Sequence, residues 1–209
     1  MNYALLIAGG SGNRMGQEIP KQFIHVDDCP IIVHTMKAFE RHPDIEAIAV
    51  VCLEGWETVL RSYANQFSIT KLRWIFKGGE TGMESIHNGI YGLKAEGCND
   101  DDLILVHDGV RPLVSQDIIS SNIATCKRFG NAITGIQCRE AILVSDDGFN
   151  AEKSIPRDKL TVQHQAFLLQ DTHRNIYSCL ANALNATPLH SRKRVYTATN
   201  HPADAFPYY

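Results

Sequence analysis

The run Tyr3-Ala4-Leu5-Leu6-Ile7, passing into Ala8-Gly9-Gly10-Ser11-Gly12-Asn13-Arg14-Met15-Gly16 and then Pro20-Lys21-Gln22-Phe23, decides how this chain is read. Five apolar residues without alternation suit a strand buried on both faces, as in the interior of a parallel sheet. The glycines behind it let the backbone turn sharply and approach a ligand that a Cβ would hold off. Such a loop aims several backbone N–H groups at one point and favours an anion, and Arg14 and Lys21 can add the full positive charge that N–H groups lack. Ala8, Gly9, Gly10, Ser11 and Gly12 are therefore candidate ligand-binding residues, with Arg14 and Lys21 as their cations. The alternative is an ordinary strand-to-helix turn beside two solvated cations. The spacing of Gly9, Gly10, Gly12 and Gly16 with Lys21 fits neither the G-x-G-x-x-G of dinucleotide folds nor the G-x-x-x-x-G-K-[ST] of a P-loop.

Outward from this segment, helical and strand patterns alternate. Ile32, Val33, Met36 and Phe39 fall near helical spacing over residues 31–40, and 47–53 is a continuous apolar run that reads as a strand. Residues 57–66 read as a helix, 72–76 as a strand ending at Gly78-Gly79, 83–93 as a helix, and 103–106 as a buried strand stopping at His107-Asp108. This rhythm predicts an α/β fold: a doubly wound, mostly parallel sheet with helices on both faces and ligands gathered at the C-terminal strand ends. The Gly9 loop, Gly78-Gly79 and His107-Asp108 all lie at such ends. Beyond residue 132 the pattern changes to strands over 132–136 and 140–144, a turn at Ser145-Asp146-Asp147-Gly148, and Lys153-Ser154-Ile155-Pro156-Arg157, which together predict a protruding β-hairpin. A helix over 171–184 is expected to follow.

With 209 residues and 44% hydrophobic content, the chain suits one domain over 1–209 with a sizeable core. A formal charge of −3 gives no support to a nucleic-acid-coating or membrane-surface protein. No apolar run approaches the ~20 residues of a membrane span, and a strand begins at once with no charged leader. A cytoplasmic protein is expected. Six cysteines, at 29, 52, 98, 126, 138 and 179, are scattered without a C-x-x-C pair, which suits reduced thiols.

The run A-G-G-S-G-N-R-M-G followed by P-K-Q-F resembles the opening signature of sugar and polyol nucleotidyltransferases. It looks most like the cytidylyltransferases acting on 2-C-methyl-D-erythritol 4-phosphate and their relatives acting on ribitol 5-phosphate. The resemblance implies a Rossmann-like nucleotidyltransferase fold in which the loop wraps the triphosphate of CTP, while Arg14 and Lys21 stabilise charge on the α-phosphate. Gly78, Gly79 and Ser85 keep part of the family's cytidine-recognising G-G-x-x-R-x-x-S pattern, with Gly82 where that pattern has Arg. A carbonyl or N–H at Gly78 or Gly79 could read a base edge and the Ser85 hydroxyl could bond the nucleotide; the alternative is capping, with Thr81 as N-cap and Glu84 three residues on.

His107-Asp108-Gly109-Val110-Arg111-Pro112 matches the family's H-D-x-x-R-P. A carboxylate at a strand end suits Mg²⁺, which makes Asp108 the candidate metal ligand and a catalytic residue with Arg14 and Lys21. Arg111 could hold the polyol phosphate or brace Asp108, or the two could form a simple salt bridge. His107 reads as a structural histidine. In the resembled family the hairpin, here 138–160, swaps across a two-fold homodimer and carries an Arg that reaches the polyol phosphate, which alignment makes Arg157. His164 in Val162-Gln163-His164-Gln165-Ala166-Phe167 replaces a Thr-Pro pair, so a rebuilt turn is expected there. The resemblance covers about residues 3–184; Asn200-His201-Pro202-Ala203-Asp204 is only a faint echo of its C-terminal motif. It implies Mg²⁺-dependent transfer of CMP from CTP to a polyol phosphate, with methylerythritol phosphate as the expected acceptor. The alternatives are ribitol 5-phosphate or another pentitol phosphate, and a non-catalytic nucleotide-binding homologue.

Overall fold

A computed structural model describes residues 1–11 and 19–137, together with short strand segments beyond them. The chain opens with β1 (Asn2–Ala8), a 3₁₀ turn (Lys21–Phe23), the two-residue strands β2 (His25–Val26) and β3 (Cys29–Pro30), and α1 (Ile31–Glu40). There follow β4 (Ala47–Cys52), α2 (Glu57–Gln66), β5 (Leu72–Lys77), α3 (Gly82–Ala95), β6 (Leu103–Asp108) and α4 (Gln116–Phe129). The described strands then run β7 (Asn131–Gln137), β8 (Ile142–Val144), β9 (Lys153–Ile155), β10 (Thr161–Leu169) and β11 (Thr197–Ala198).

The lack of alternation in β1 and β4 has a direct cause: successive side chains point to opposite faces, and both faces are covered by helices. Ala4, Leu6, Ile48 and Val50 pack with α1, α2 and α4, while Leu5, Ala49 and Val51 pack with Ile86, Ile90 and Leu93 of α3. Helix α3 lies close on the sheet because of its glycines. A Cβ at Gly89 would stand 2.7 Å from Leu5 Cδ1, and one at Gly92 2.6 Å from the Phe76 ring.

Seven strands form one sheet in the order β11-β7-β10-β6-β1-β4-β5. β1 pairs parallel with both β4 and β6, β4 pairs parallel with β5, and β10 runs antiparallel to β6 and β7. The connection from β1 goes to β4 on one side, and β6 returns on the other. The strand order therefore switches between β1 and β6, where a doubly wound sheet opens a crevice at its C-terminal edge.

The doubly wound, mostly parallel sheet agrees with the sequence expectation, and α1, α2 and β4 fall on or within a residue of the expected bounds. Three features differ. Helix α4 was not anticipated, although Ser115 caps it by accepting from Ile118 N–H and Gly130 ends it at φ 86°. His107 and Asp108 lie inside β6 rather than after it, paired with Leu6 and Ile7. The turn expected around His164 is instead part of β10, which runs on through residues 161–169 and absorbs the change as a register shift against β7 between Gln163 and Phe167. β8 and β9 pair antiparallel in a separate two-stranded sheet, in keeping with the expected hairpin. The expected helix over 171–184 lies outside the described residues. Among the described residues, no helix is long and apolar enough to cross a membrane. Cys29, Cys52, Cys98 and Cys126 are free thiols.

Candidate active site

The crevice at the β1–β6 switch is a cleft of about 940 Å³, within the usual range for small-molecule sites. Its walls come from all three expected motifs. Ala8, Gly9, Gly10 and Ser11 line it from the end of β1, Lys21 and Gln22 from the 3₁₀ turn, Gly79 to Met83 with Ser85 from the β5–α3 junction, and His107, Asp108 and Val110 from β6.

Gly9 and Gly78 touch each other. A Cβ on Gly9 would stand 3.0 Å from Gly78 Cα, and one on Gly78 would stand 2.9 Å from Gly9 Cα and 3.1 Å from the Cys52 carbonyl. Two strand-end loops thus pack backbone to backbone, an approach that only glycine permits. Gly10 and Gly82 differ from this pair, since a Cβ at either would meet no atom within 4 Å.

The N–H groups expected to read a base are already engaged. Gly78 N–H donates to the Cys52 carbonyl at 2.8 Å, and Gly79 N–H donates to Ser85 Oγ at 3.0 Å. Ser85 is buried, so its hydroxyl braces the loop while its own proton remains available to donate. Thr81 is the N-cap of α3, accepting from Glu84 N–H at 3.1 Å, and Glu84 accepts from Glu80 N–H at 2.8 Å. The capping expectation is met, with the return bond falling on Glu80.

At the end of β6, Asp108 Oδ1 accepts from Val110 N–H at 3.2 Å, and Oδ2 lies 3.5 Å from Arg111 Nε. Both side chains retain solvent access, so this is the local ion pair, with Arg111 placed to brace Asp108. His107 is buried, donates from Nε2 to the Arg111 carbonyl at 2.9 Å and packs its ring against Phe39, which is the structural part expected of it. Among the described residues, no group of three or more His, Cys, Asp or Glu side chains is placed to hold a metal. A single carboxylate still fits Mg²⁺, which is commonly held by one or two carboxylates together with substrate phosphates and water.

Lys21 stands at the cleft on a turn whose other two residues, Gln22 and Phe23, are buried. The Phe23 ring stacks on Trp56 with centroids 4.7 Å apart. Gln22 Nε2 donates to the Ala8 carbonyl at 2.8 Å and to the Gly10 carbonyl at 3.1 Å. Sequence reasoning passed over Gln22; the signal it carried was an amide placed between a cation and an aromatic in a turn joining two motifs. Gly12, Arg14 and Arg157 lie outside the described residues.

Residues 3–187 match the family IspD, 2-C-methyl-D-erythritol 4-phosphate cytidylyltransferase. The chain belongs to that family. The ribitol-5-phosphate cytidylyltransferase of Lacticaseibacillus paracasei is 40% identical over 157 residues, covering 75% of this chain and 67% of its own length. The 2-C-methyl-D-erythritol 4-phosphate cytidylyltransferase of Syntrophotalea carbinolica is 32% identical over 176 residues, covering 82% and 74%. The crystal structure of the Francisella tularensis 2-C-methyl-D-erythritol 4-phosphate cytidylyltransferase superposes with a TM-score of 0.68 at 25% identity, covering 90% of this chain and 82% of that one. In this cytidylyltransferase family member the three motifs that carried the resemblance are the three segments that wall the cleft. Gly82 stands where the family pattern has Arg, on a backbone position open to space.

Proposed function

We propose that this protein transfers CMP from CTP to a pentitol phosphate, with ribitol 5-phosphate as the first acceptor to test, and releases pyrophosphate. The observation that carries the reading is the meeting of the Gly9 loop, Lys21, the Gly79–Ser85 junction and Asp108 around one cleft at the sheet's switch point. Ribitol 5-phosphate moves ahead of methylerythritol phosphate because the relative named for it is 40% identical, against 32% for the relative named for the methylerythritol substrate.

In this reading a phosphate oxygen of the acceptor attacks the α-phosphorus of CTP in line. The new P–O bond forms as the bond to the β-phosphate breaks, and pyrophosphate leaves with the electron pair. A phosphate is already anionic and needs no general base, so the protein's work is positioning and charge neutralisation. Lys21 faces the triphosphate, with Arg14 joining it by its place in the motif. Asp108 would hold Mg²⁺, which neutralises phosphate charge when bound. Arg111 braces Asp108 or takes the acceptor's phosphate. Gly79 and Ser85 shape the nucleoside end. The reading also includes a homodimer in which the 138–160 arm brings Arg157 to the neighbouring site, and action in the cytoplasm, where CTP is supplied.

The test is pyrophosphate release from purified protein given Mg²⁺, each of the four NTPs in turn, and ribitol, erythritol and methylerythritol phosphates. CTP with ribitol 5-phosphate is expected to give the highest kcat/KM. Binding of CTP with no turnover on any acceptor would leave a non-catalytic nucleotide-binding protein, the outcome that Gly82 in place of Arg favours.

A further inference from the structure

Gln22 is 1% exposed, and its amide is spent on the backbone of the Gly9 loop: Nε2 donates to both the Ala8 and Gly10 carbonyls. A trans peptide sets its N–H opposite its own C=O. The Ala8 carbonyl shares a peptide with Gly9 N–H, and the Gly10 carbonyl shares one with Ser11 N–H. Holding those two carbonyls on the Gln22 side therefore turns Gly9 N–H and Ser11 N–H the other way. Among the described residues, neither N–H has a backbone acceptor. On its far side the same turn is pinned by Phe23, buried and stacked on Trp56 at 4.7 Å, so Gln22 has a fixed base from which to pull.

We propose that Gln22 is a positioning residue for the triphosphate: its amide orients the Gly9 and Ser11 N–H groups toward the phosphates and sets Lys21, its chain neighbour, in register with them. The inference rests on the cleft being the CTP site. It makes the Lys21–Phe23 turn and the glycine loop one unit, in which a cation and two N–H donors converge because a single buried side chain joins their backbones.

Two substitutions probe it. Gln22→Met keeps the length and removes the donor; Gln22→Glu keeps the shape and sets a carboxylate against two carbonyls. The Kd for CTP with Mg²⁺, measured by calorimetry, is expected to rise about tenfold in Gln22→Met and further in Gln22→Glu. The KM for the acceptor should stay within about twofold of wild type. A merely structural role would shrink the folded fraction, lowering kcat with both KM values unchanged, and that result overturns the proposal, as does CTP affinity within twofold of wild type in both variants. Should neither variant fold, ¹⁵N spectra of the wild type give the answer: CTP should move the Gly9 and Ser11 amide resonances downfield, and immobile Gly9 and Ser11 resonances beside a shifting Thr81 overturn it. Wild-type protein that binds no CTP removes the function reading itself, whereas wild type that binds CTP alongside equally competent Gln22 variants removes only this inference.

Discussion

Lys21 reaches the cleft from a single 3₁₀ turn between the buried ring of Phe23 and the loop that Gln22 fastens. The turn that carries Lys21 is thus fixed on both sides, and a pre-positioned cation is what electrostatic stabilisation of charge building on a phosphate requires. Lys21→Ala is accordingly expected to lower kcat at least a hundredfold, about 3 kcal/mol of transition-state stabilisation, with a modest change in CTP affinity. Steady-state kinetics check this, and a near-normal kcat removes Lys21 from the chemistry. The glycines invite a second comparison, because in sequence Gly9, Gly10, Gly78 and Gly82 look alike as loop-formers. Their surroundings separate them. Gly78→Ala would push a methyl against Gly9 Cα and the Cys52 carbonyl, backbone atoms that cannot swing aside, whereas Gly10→Ala meets open space. Thermal melts should show Gly78→Ala destabilised by about 1–3 kcal/mol and Gly10→Ala within about 0.5 kcal/mol of wild type or slightly more stable. Equal melting temperatures for the two would mean that the loops do not pack as described.

Elements were readable to the degree that their signals are local. Helix α3 begins within a residue of the expected start because Thr81 and Glu84 form an N-terminal cap that sequence spacing already displays. Helix α4 carried equally local marks, with Ser115 as N-cap, Ile119, Ile123 and Cys126 buried on one face, and Gly130 as stop. At His164 the expected turn gives way to an irregularity within a strand: β7 pairs with β10 up to Gln163 and again from Phe167, β6 pairs with it from Ala166, and these flanking ladders carry the chain through as one strand. The hairpin of β8 and β9 stands apart from the main sheet, and an isolated two-stranded pair is marginal in water. In the proposed homodimer a two-fold copy of the chain would give the hairpin a surface to pack against. If the arm serves the neighbouring site, mixing Arg157→Ala with Lys21→Ala subunits should restore activity, since one site in each mixed dimer keeps both residues. Mass spectrometry must first show subunit exchange; exchange without recovered activity would assign Arg157 to its own chain or to no site.

Across the whole molecule, the two strands that flank the cleft are also tied at their opposite ends, where the Met1 ammonium donates to the buried Asp102 carboxylate just before β6 and Asn99 N–H donates to it at 2.8 Å. Burial pushes the Asp102 carboxyl up, but those bonds and the ammonium's charge outweigh it and hold the group below the usual carboxylate range. A folded-state pKa below the unfolded value of about 3.9 means stability that is present above that pH and lost as pH falls through the folded value. The melting-temperature gap between wild type and Asp102→Asn is thus expected to be steady from about pH 5 to 7 and to shrink below about pH 4; a gap that widens in acid would reverse the sign. The sequence by itself determined the βαβ order, the burial of the central strands on both faces and the three strand-end motifs, because apolar period, turn glycines and caps act within a few residues of each other. Only the tertiary structure decided that Gly9 and Gly78 meet, that Gln22 fastens the glycine loop, and that β10 enters antiparallel between β6 and β7. Each of these joins segments distant in the chain, and such contacts depend on how sheet order and helix packing fold the chain back on itself, about which local propensity carries no information.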